Sequence, residues 1–120
     1  MTDGRREHTR LRLSTGSLLR GRIPQGTEPE LTETILKTAG TLLERIVSAG
    51  HSTPPGQWYD QESDEWVALL QGSATLSFET EETLRLEQGD WVYLPAHLKH
   101  RVEQTSTGPP CIWIALYLGP

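Results

Sequence analysis

Two histidines three positions apart are the residues of this sequence best suited to chemistry. They are His97 and His100, in the stretch GDWVYLPAHLKHRV at residues 89–102. Imidazoles act as general acids, general bases and metal ligands near neutral pH. Pro95 and the strand-like runs on either side disfavour a helix, and positions three apart in a strand point to opposite faces. At most one of the two histidines therefore enters a common interior.

Short apolar runs separated by turn residues make up the chain after residue 40. We predict eight strands, each four to eight residues long, in the runs TLLERIVS, QWYDQ, EWVALLQ, SATLSFE, TLRLEQ, DWVYLP, HRVEQ and CIWIALYL. Short strands at this close spacing are typical of a β-sandwich or a small barrel. The sequence therefore predicts a mostly β fold.

A short helix is predicted just before these strands, at residues 28–39. Thr27 and Glu30 have the spacing of a capping box, and Leu31 and Ile35 would form one apolar stripe on a helix. Gly40 would end the helix in a left-handed conformation.

The N-terminal part of the chain differs in charge from the rest. Residues 1–22 contain six arginines and two carboxylates, a net charge of +4, so the total of −5 leaves −9 for residues 23–120. We interpret residues 1–26 as a basic arm with a weak strand region, and residues 27–120 as one domain. The acidic body argues against a nucleic-acid partner.

Several classes of protein are disfavoured by what the 120-residue sequence lacks. Its single cysteine, Cys111, allows no internal disulfide, and no apolar stretch approaches the ~20 residues of a membrane helix. The charged N-terminus has no apolar signal region, so we expect a cytoplasmic protein without a membrane partner. No phosphate-binding or dinucleotide glycine motif occurs, so we expect no nucleotide cofactor.

The stretch that contains both histidines resembles the second motif of the cupins. Gly89, Pro95 and His100 match the motif in place, whereas His97 stands where the family usually has glycine and Gln104 where it has asparagine. The resemblance covers roughly residues 41–118. It implies a single jelly-roll β-barrel or sandwich, here with the short N-terminal helix, with His100 inside the barrel.

The match to the first cupin motif is partial. Glu65, six further residues and Gly72 correspond to its end. Metal-binding cupins have two histidines before this glutamate, but the present chain has Tyr59 and Gln61 there in one register, or Trp58 and Asp60 in the other. Amide and phenol oxygens are poorer ligands than imidazoles, so we expect any divalent ion, whether zinc, iron, manganese or nickel, to be weakly held.

The resemblance implies a pocket with Glu65 and His100 at its base. The expected metal ligands are Gln61, Glu65 and His100, with Asp60 and His51 as alternatives. Tyr59, Gln61 and Gln104 are expected to contact a bound small molecule, and Tyr59 and His51 are the candidates for proton transfer. His97 is expected at the mouth or on the surface.

Three functions are consistent with this arrangement. The first is binding of a small polar metabolite, a divalent metal ion or both. The second is a metal-dependent isomerase, lyase or dioxygenase acting on such a metabolite, and the third is a dimeric interaction module without a ligand. The run CIWIALYL is apolar on both faces, but a barrel encloses only one, so we expect a homodimer. The tryptophans and tyrosines are interpreted as core and dimer surface.

Overall fold

The structure, a computed structural model, describes residues 5–7 and 12–119. These residues form ten strands: β1 (Arg5–Glu7), β2 (Arg12–Ser14), β3 (Leu31–Lys37), β4 (Thr41–Ser48), β5 (Asp64–Gln71), β6 (Ala74–Phe78), β7 (Thr83–Leu86), β8 (Trp91–Leu94), β9 (His100–Thr105) and β10 (Cys111–Leu118). They form no helix, and therefore none that could cross a lipid bilayer.

Two antiparallel sheets enclose the core. One has the strand order β3-β4-β10-β5-β8 and the other β7-β6-β9, whereas β1 and β2 pair only with each other. Buried side chains from both sheets pack into one cluster, which includes Leu69 and Ala115 from the larger sheet and Leu76 from the smaller one. The predicted mostly β fold is confirmed, and the predicted strand QWYDQ is reduced to one bridge between Tyr59 and His100.

The helix predicted at residues 28–39 is wrong, because this segment contains strand β3, paired with β4. Two residues four positions apart share a face in a strand as well as in a helix, so Leu31 and Ile35 did not distinguish the two. Thr32, Thr34 and Ile35 are β-branched and favour extended backbone. Pairing with β4 supplies the backbone hydrogen bonds that stabilise this extended conformation.

Glycine is required at the turn between β5 and β6. Gly72 has a φ of 89°, which favours a residue without a side chain. An added Cβ would lie 2.7 Å from Ser106 Oγ and 3.0 Å from the Cα of Cys111. The turn therefore packs directly on the start of β10.

A buried arginine joins the N-terminal segment to the outer face of the larger sheet. Arg45, on β4, is 3% exposed. Its Nε donates to the carbonyl of Leu18 at 2.7 Å, its Nη2 to that of Arg20 at 3.4 Å, and its Nη1 to Glu33 Oε1 at 2.8 Å. Part of the segment assigned to the N-terminal arm therefore covers this sheet.

We predict that Arg45→Met lowers the free energy of unfolding by about 2 kcal/mol, because a methionine leaves these acceptors without their charged donor. Urea denaturation measures the loss, and trypsin should cleave faster at Arg20 and Arg22. Arg85→Met is the control, since the Arg85–Glu87 pair is more than half exposed and should contribute under about 1 kcal/mol. Equal losses in the two variants would contradict this role for Arg45.

Candidate functional site

A partly enclosed cavity of about 210 Å³ lies inside the barrel. Strands from both sheets contribute its lining. The lining residues are the acidic Glu30, Glu44 and Glu65, the aromatic Tyr59, Trp113 and Tyr117, the polar Thr32, Gln61 and His100, and the apolar Ile46, Val67, Leu76, Leu94, Val102 and Ala115. The volume is below the range of about 300 to 1,000 Å³ usual for ligand sites, so the cavity suits a small molecule.

Glu65 is the most deeply placed carboxylate of the cavity. It lies near the start of β5, opposite Tyr117 on β10 and Leu94 on β8, and is only 7% exposed. The pKa of Glu65 is raised to about 7, chiefly by burial and to a smaller extent by the charge of Glu44, against the opposing effect of a hydrogen bond from the Tyr117 hydroxyl. This carboxyl can therefore gain or lose a proton near neutral pH.

His100 faces Glu65 from the smaller sheet. Its Nδ1 lies 2.9 Å from the carbonyl oxygen of Leu98, which only accepts hydrogen bonds, so Nδ1 carries a proton and Nε2 is the variable nitrogen. Nε2 lies 3.9 Å from Glu65 Oε1. This distance is longer than a hydrogen bond, so both groups can interact with a third group in the cavity.

Tyr117 connects Glu65 to the mouth of the cavity. Its hydroxyl hydrogen-bonds with Glu65 and with the amide of Gln61. Burial, followed by the charges of Glu65 and Glu44, raises the pKa of Tyr117 far above its usual value. The phenol therefore stays protonated and acts as a hydrogen-bond donor.

The structure resolves the register of the first motif. Tyr59 and Gln61 line the cavity. Trp58 instead packs against Arg101, whose Cζ lies 5.9 Å from the centroid of the Trp58 ring. The Tyr59 ring stacks on His100 at a centroid distance of 5.5 Å. Tyr59 is 43% exposed, so it lies at the entrance, in reach of a bound molecule.

His97 and Asp60 form a pair outside the cavity. Asp60 Oδ1 lies 2.9 Å from His97 Nδ1, and the His97 side chain is 66% exposed. The surface position expected for His97 is thus observed. His97 also has a φ of 65°, a left-handed backbone that explains why glycine is usual at this point of the motif. The structure does not bring Asp60 to Glu65.

The imidazole of His51 is occupied by the backbone. Its Nδ1 accepts from the amide of Ala49 at 2.9 Å, and its Nε2 lies 2.7 Å from the carbonyl of Glu28, to which it donates. With both nitrogens engaged, His51 supports the loop after β4 and does not line the cavity.

A β-bulge in β9 moves Gln104 off the cavity-facing side on which it was predicted. Leu76 pairs with Val102, but the adjacent Thr75 pairs with Gln104, so Glu103 is an extra residue that reverses the alternation. Val102 accordingly lines the cavity, Gln104 is exposed, and the next residue, Thr105, is buried. A bulge depends on the partner strand and leaves little trace in one sequence.

The sequence did not identify Glu30, Glu44, Trp113 and Tyr117 as residues of the cavity. Glu44 and Tyr117 act on Glu65, while Glu30 accepts a hydrogen bond from the Ser48 hydroxyl, which itself accepts one from Trp113 Nε1 at 3.1 Å. Glu30 had been interpreted as a helix cap. The one sequence signal was a charged residue in the middle of TLLERIVS, since Glu44 shares its face with Ile46.

The donor set around Glu65 does not match a divalent-metal centre. Among residues 5–7 and 12–119, no three His, Cys, Asp or Glu side chains come together in a way that could hold an ion. The groups in contact with Glu65 or His100 include the Tyr59 and Tyr117 phenols, with the Gln61 amide beside Tyr117, and neutral oxygens are weak ligands. Weak metal binding at this pair stays a prediction.

The region that contains the two motifs and most of the cavity lining matches a known domain family. The sequence profile of the cupin domain matches residues 44–117, which contain both motifs and most of the lining. The chain belongs to the cupin family. A search of curated sequences found no match. The cupin resemblance of the two motifs is thus confirmed.

Solved structures support the assignment as a small single-domain cupin. A Ralstonia eutropha JMP134 protein, provisionally named a mannose-6-phosphate isomerase, is 37% identical with a TM-score of 0.83, covering 90% of this cupin and 100% of that chain. A cupin superfamily protein of Desulfitobacterium hafniense DCB-2 is 17% identical with a TM-score of 0.68, over 85% and 84% of the two chains. The DMSP lyase DddQ of Ruegeria pomeroyi DSS-3 is 18% identical with a TM-score of 0.65, over 79% of this cupin and 51% of that chain.

The raised pKa of Glu65 predicts a pH-dependent stability. The folded protein keeps the Glu65 proton up to about pH 7, whereas the unfolded chain loses it at about pH 4.5. The stabilisation that this proton provides is therefore lost as the pH rises from about 4.5 to about 7. At about 1.4 kcal/mol per pH unit, Glu65→Gln should gain on the order of 3 kcal/mol relative to the wild type between pH 4.5 and 8.

Urea denaturation of both proteins across this range measures the difference. Glu62→Gln is the matched control, because Glu62 is exposed and lies three positions earlier in the chain. Its difference from the wild type should stay constant with pH. A constant difference for Glu65→Gln as well would show that Glu65 ionises as an ordinary surface carboxyl.

Proposed function

We propose that this cupin binds a small polar metabolite in its barrel cavity. The observation that carries the proposal is the buried Glu65–His100 pair, separated by 3.9 Å and open to the same cavity. Two ionisable groups that do not bond directly to each other are buried at a free-energy cost. A ligand that bonds to both would offset that cost, with Tyr117, Gln61 and Tyr59 completing the polar contacts.

An enzymatic role is the second candidate, and the pKa of about 7 for Glu65 favours it. A carboxyl with such a pKa exchanges protons at neutral pH, the property required of a general acid or base. The His100 Nε2, 3.9 Å from Glu65 Oε1, could accept or return the proton at a neighbouring atom of a bound molecule. The isomerase name of the 37% identical protein is compatible with proton transfer of this kind.

The proposal is tested by a thermal-shift screen of the wild type against small polar metabolites and against zinc, nickel, manganese and iron(II). Each hit is then titrated calorimetrically into Glu65→Gln, His100→Ala and His97→Ala. We expect the first two variants to lose at least about tenfold in affinity, since each loses a buried polar contact, and His97→Ala to bind normally. Turnover of a hit would establish the enzymatic role.

Two results would overturn the proposal. One is a set of hits whose affinity is unchanged in Glu65→Gln and His100→Ala, which would place the binding elsewhere. The other is loss of binding in His97→Ala alone. If a metal ion binds the wild type and its binding is lost in Glu65→Gln and His100→Ala, the metal-dependent function is supported instead.

We also propose that the protein is a homodimer formed by the outer face of the larger sheet. On β8, Trp91 is 61% and Tyr93 46% exposed, and on β10 Leu118 is 42% exposed. Trp66 on β5 lies beside Trp91, with ring centroids 6.1 Å apart. Contiguous exposed apolar surface of this kind is usually covered by a partner.

Light scattering after size exclusion measures the association. The wild type should have about twice the mass of the 13.5 kDa chain, and Trp91→Glu should be monomeric, because a charge at the centre of an apolar interface opposes association. Leu19→Glu, at an exposed position of the N-terminal segment, is the control and should stay dimeric. A monomeric wild type at micromolar concentration would exclude the dimer.

A further inference from the structure

The cavity has an unbalanced charge. Three carboxylates, Glu30, Glu44 and Glu65, line it, and within the part of the chain that the structure describes no lysine or arginine does. The cations adjacent in sequence to lining residues are engaged elsewhere: Arg45 Nη1 bonds to Glu33 at 2.8 Å, Arg101 Nε to Glu103 at 2.8 Å, and Lys99 Nζ to Glu79 at 3.4 Å. The potential inside is therefore set by negative groups.

Three of the other lining residues carry large aromatic side chains. Tyr59, Trp113 and Tyr117 contribute to the wall, and Trp113 is held in place by its bond to Ser48. Aromatic faces attract cations, most strongly in places shielded from water. Carboxylates and aromatic rings together form the environment in which organic cations are bound.

We propose that the molecule bound in this cavity is a small organic cation, such as an amine or a quaternary ammonium compound. The proposal rests on the cavity being a binding site, as argued above, and adds the chemical class of the ligand. A cation would interact favourably with the carboxylate of Glu44, and its charge would favour the ionised form of Glu65. The volume of about 210 Å³ limits it to a molecule smaller than most drugs.

The same charges disfavour a phosphorylated sugar. A phosphate carries nearly two negative charges at neutral pH, and recognition of phosphate usually relies on arginine, lysine or a helix N-terminus. The lining described here supplies none of these. The ligand class of this cupin should therefore differ from the substrate class in the provisional name of its 37% identical relative.

Four probes separate charge from shape. Choline and 3,3-dimethyl-1-butanol have nearly the same shape, but only choline is charged, and mannose and mannose 6-phosphate differ by the phosphate. Trp113 is the only tryptophan in the lining, so its indole N–H resonance, assigned with Trp113→Phe, reports binding inside the cavity. The other three tryptophans are internal controls in the same spectrum.

We expect choline to shift the Trp113 resonance and to bind at least about tenfold more tightly than its neutral analogue. Mannose 6-phosphate should bind no better than mannose. Glu44→Gln should weaken choline binding several-fold with little effect on the neutral analogue, whereas Glu62→Gln, which changes an exposed carboxylate, should leave both unchanged.

The result that overturns the inference is binding of the neutral analogue, mannose or mannose 6-phosphate at Trp113 as tightly as choline. In that case the cavity is a binding site for another class of molecule, and the proposed function stands. If none of the four probes shifts Trp113, the cation class is likewise rejected. The proposed function itself fails only if the metabolite screen also yields no hit dependent on Glu65 and His100.

Discussion

Burial of the Glu65 carboxylate inside the barrel is the constraint on which the rest of the site depends. Removing a carboxylate from water costs free energy unless the group is paired or protonated. This fold lowers the cost in both ways. The pairing of β5 with β10 places Tyr117 opposite Glu65, so a phenol that stays protonated donates to it. Burial also raises the pKa of Glu65 to about 7, which lets the carboxyl carry a proton under ordinary conditions.

The cavity follows from how the two sheets hold this carboxyl. His100 comes from the smaller sheet with its Nδ1 engaged by Leu98, so the ring cannot turn freely, and its Nε2, 3.9 Å from Glu65, makes no direct hydrogen bond to that carboxyl. Glu44 on β4 adds a second charge nearby. The result is an interior lined by acidic and polar groups together with apolar side chains such as Val67 and Leu76.

Much of this arrangement could be predicted from single strands. Local backbone geometry separated His100 from His97, and the cupin resemblance of the stretch from Gly89 to His100 implied that His100 is the one inside the barrel. Features that depend on the partner strand were missed. The bulge at Glu103 reversed the face of Gln104, the ladder with β4 turned residues 31–37 into a strand, and the contact between Tyr117 and Glu65 joins residues far apart in the chain.

The central claim is that Glu65 is a buried carboxyl that gains its proton near neutral pH, and its direct measurement is a carbon-13 NMR titration of glutamate side chains. The Glu65 carboxyl signal, assigned with Glu65→Gln, should titrate with a midpoint of about 7, well above the usual range of about 4 to 5 for a glutamate side chain. A midpoint for Glu65 in that same range would contradict the account.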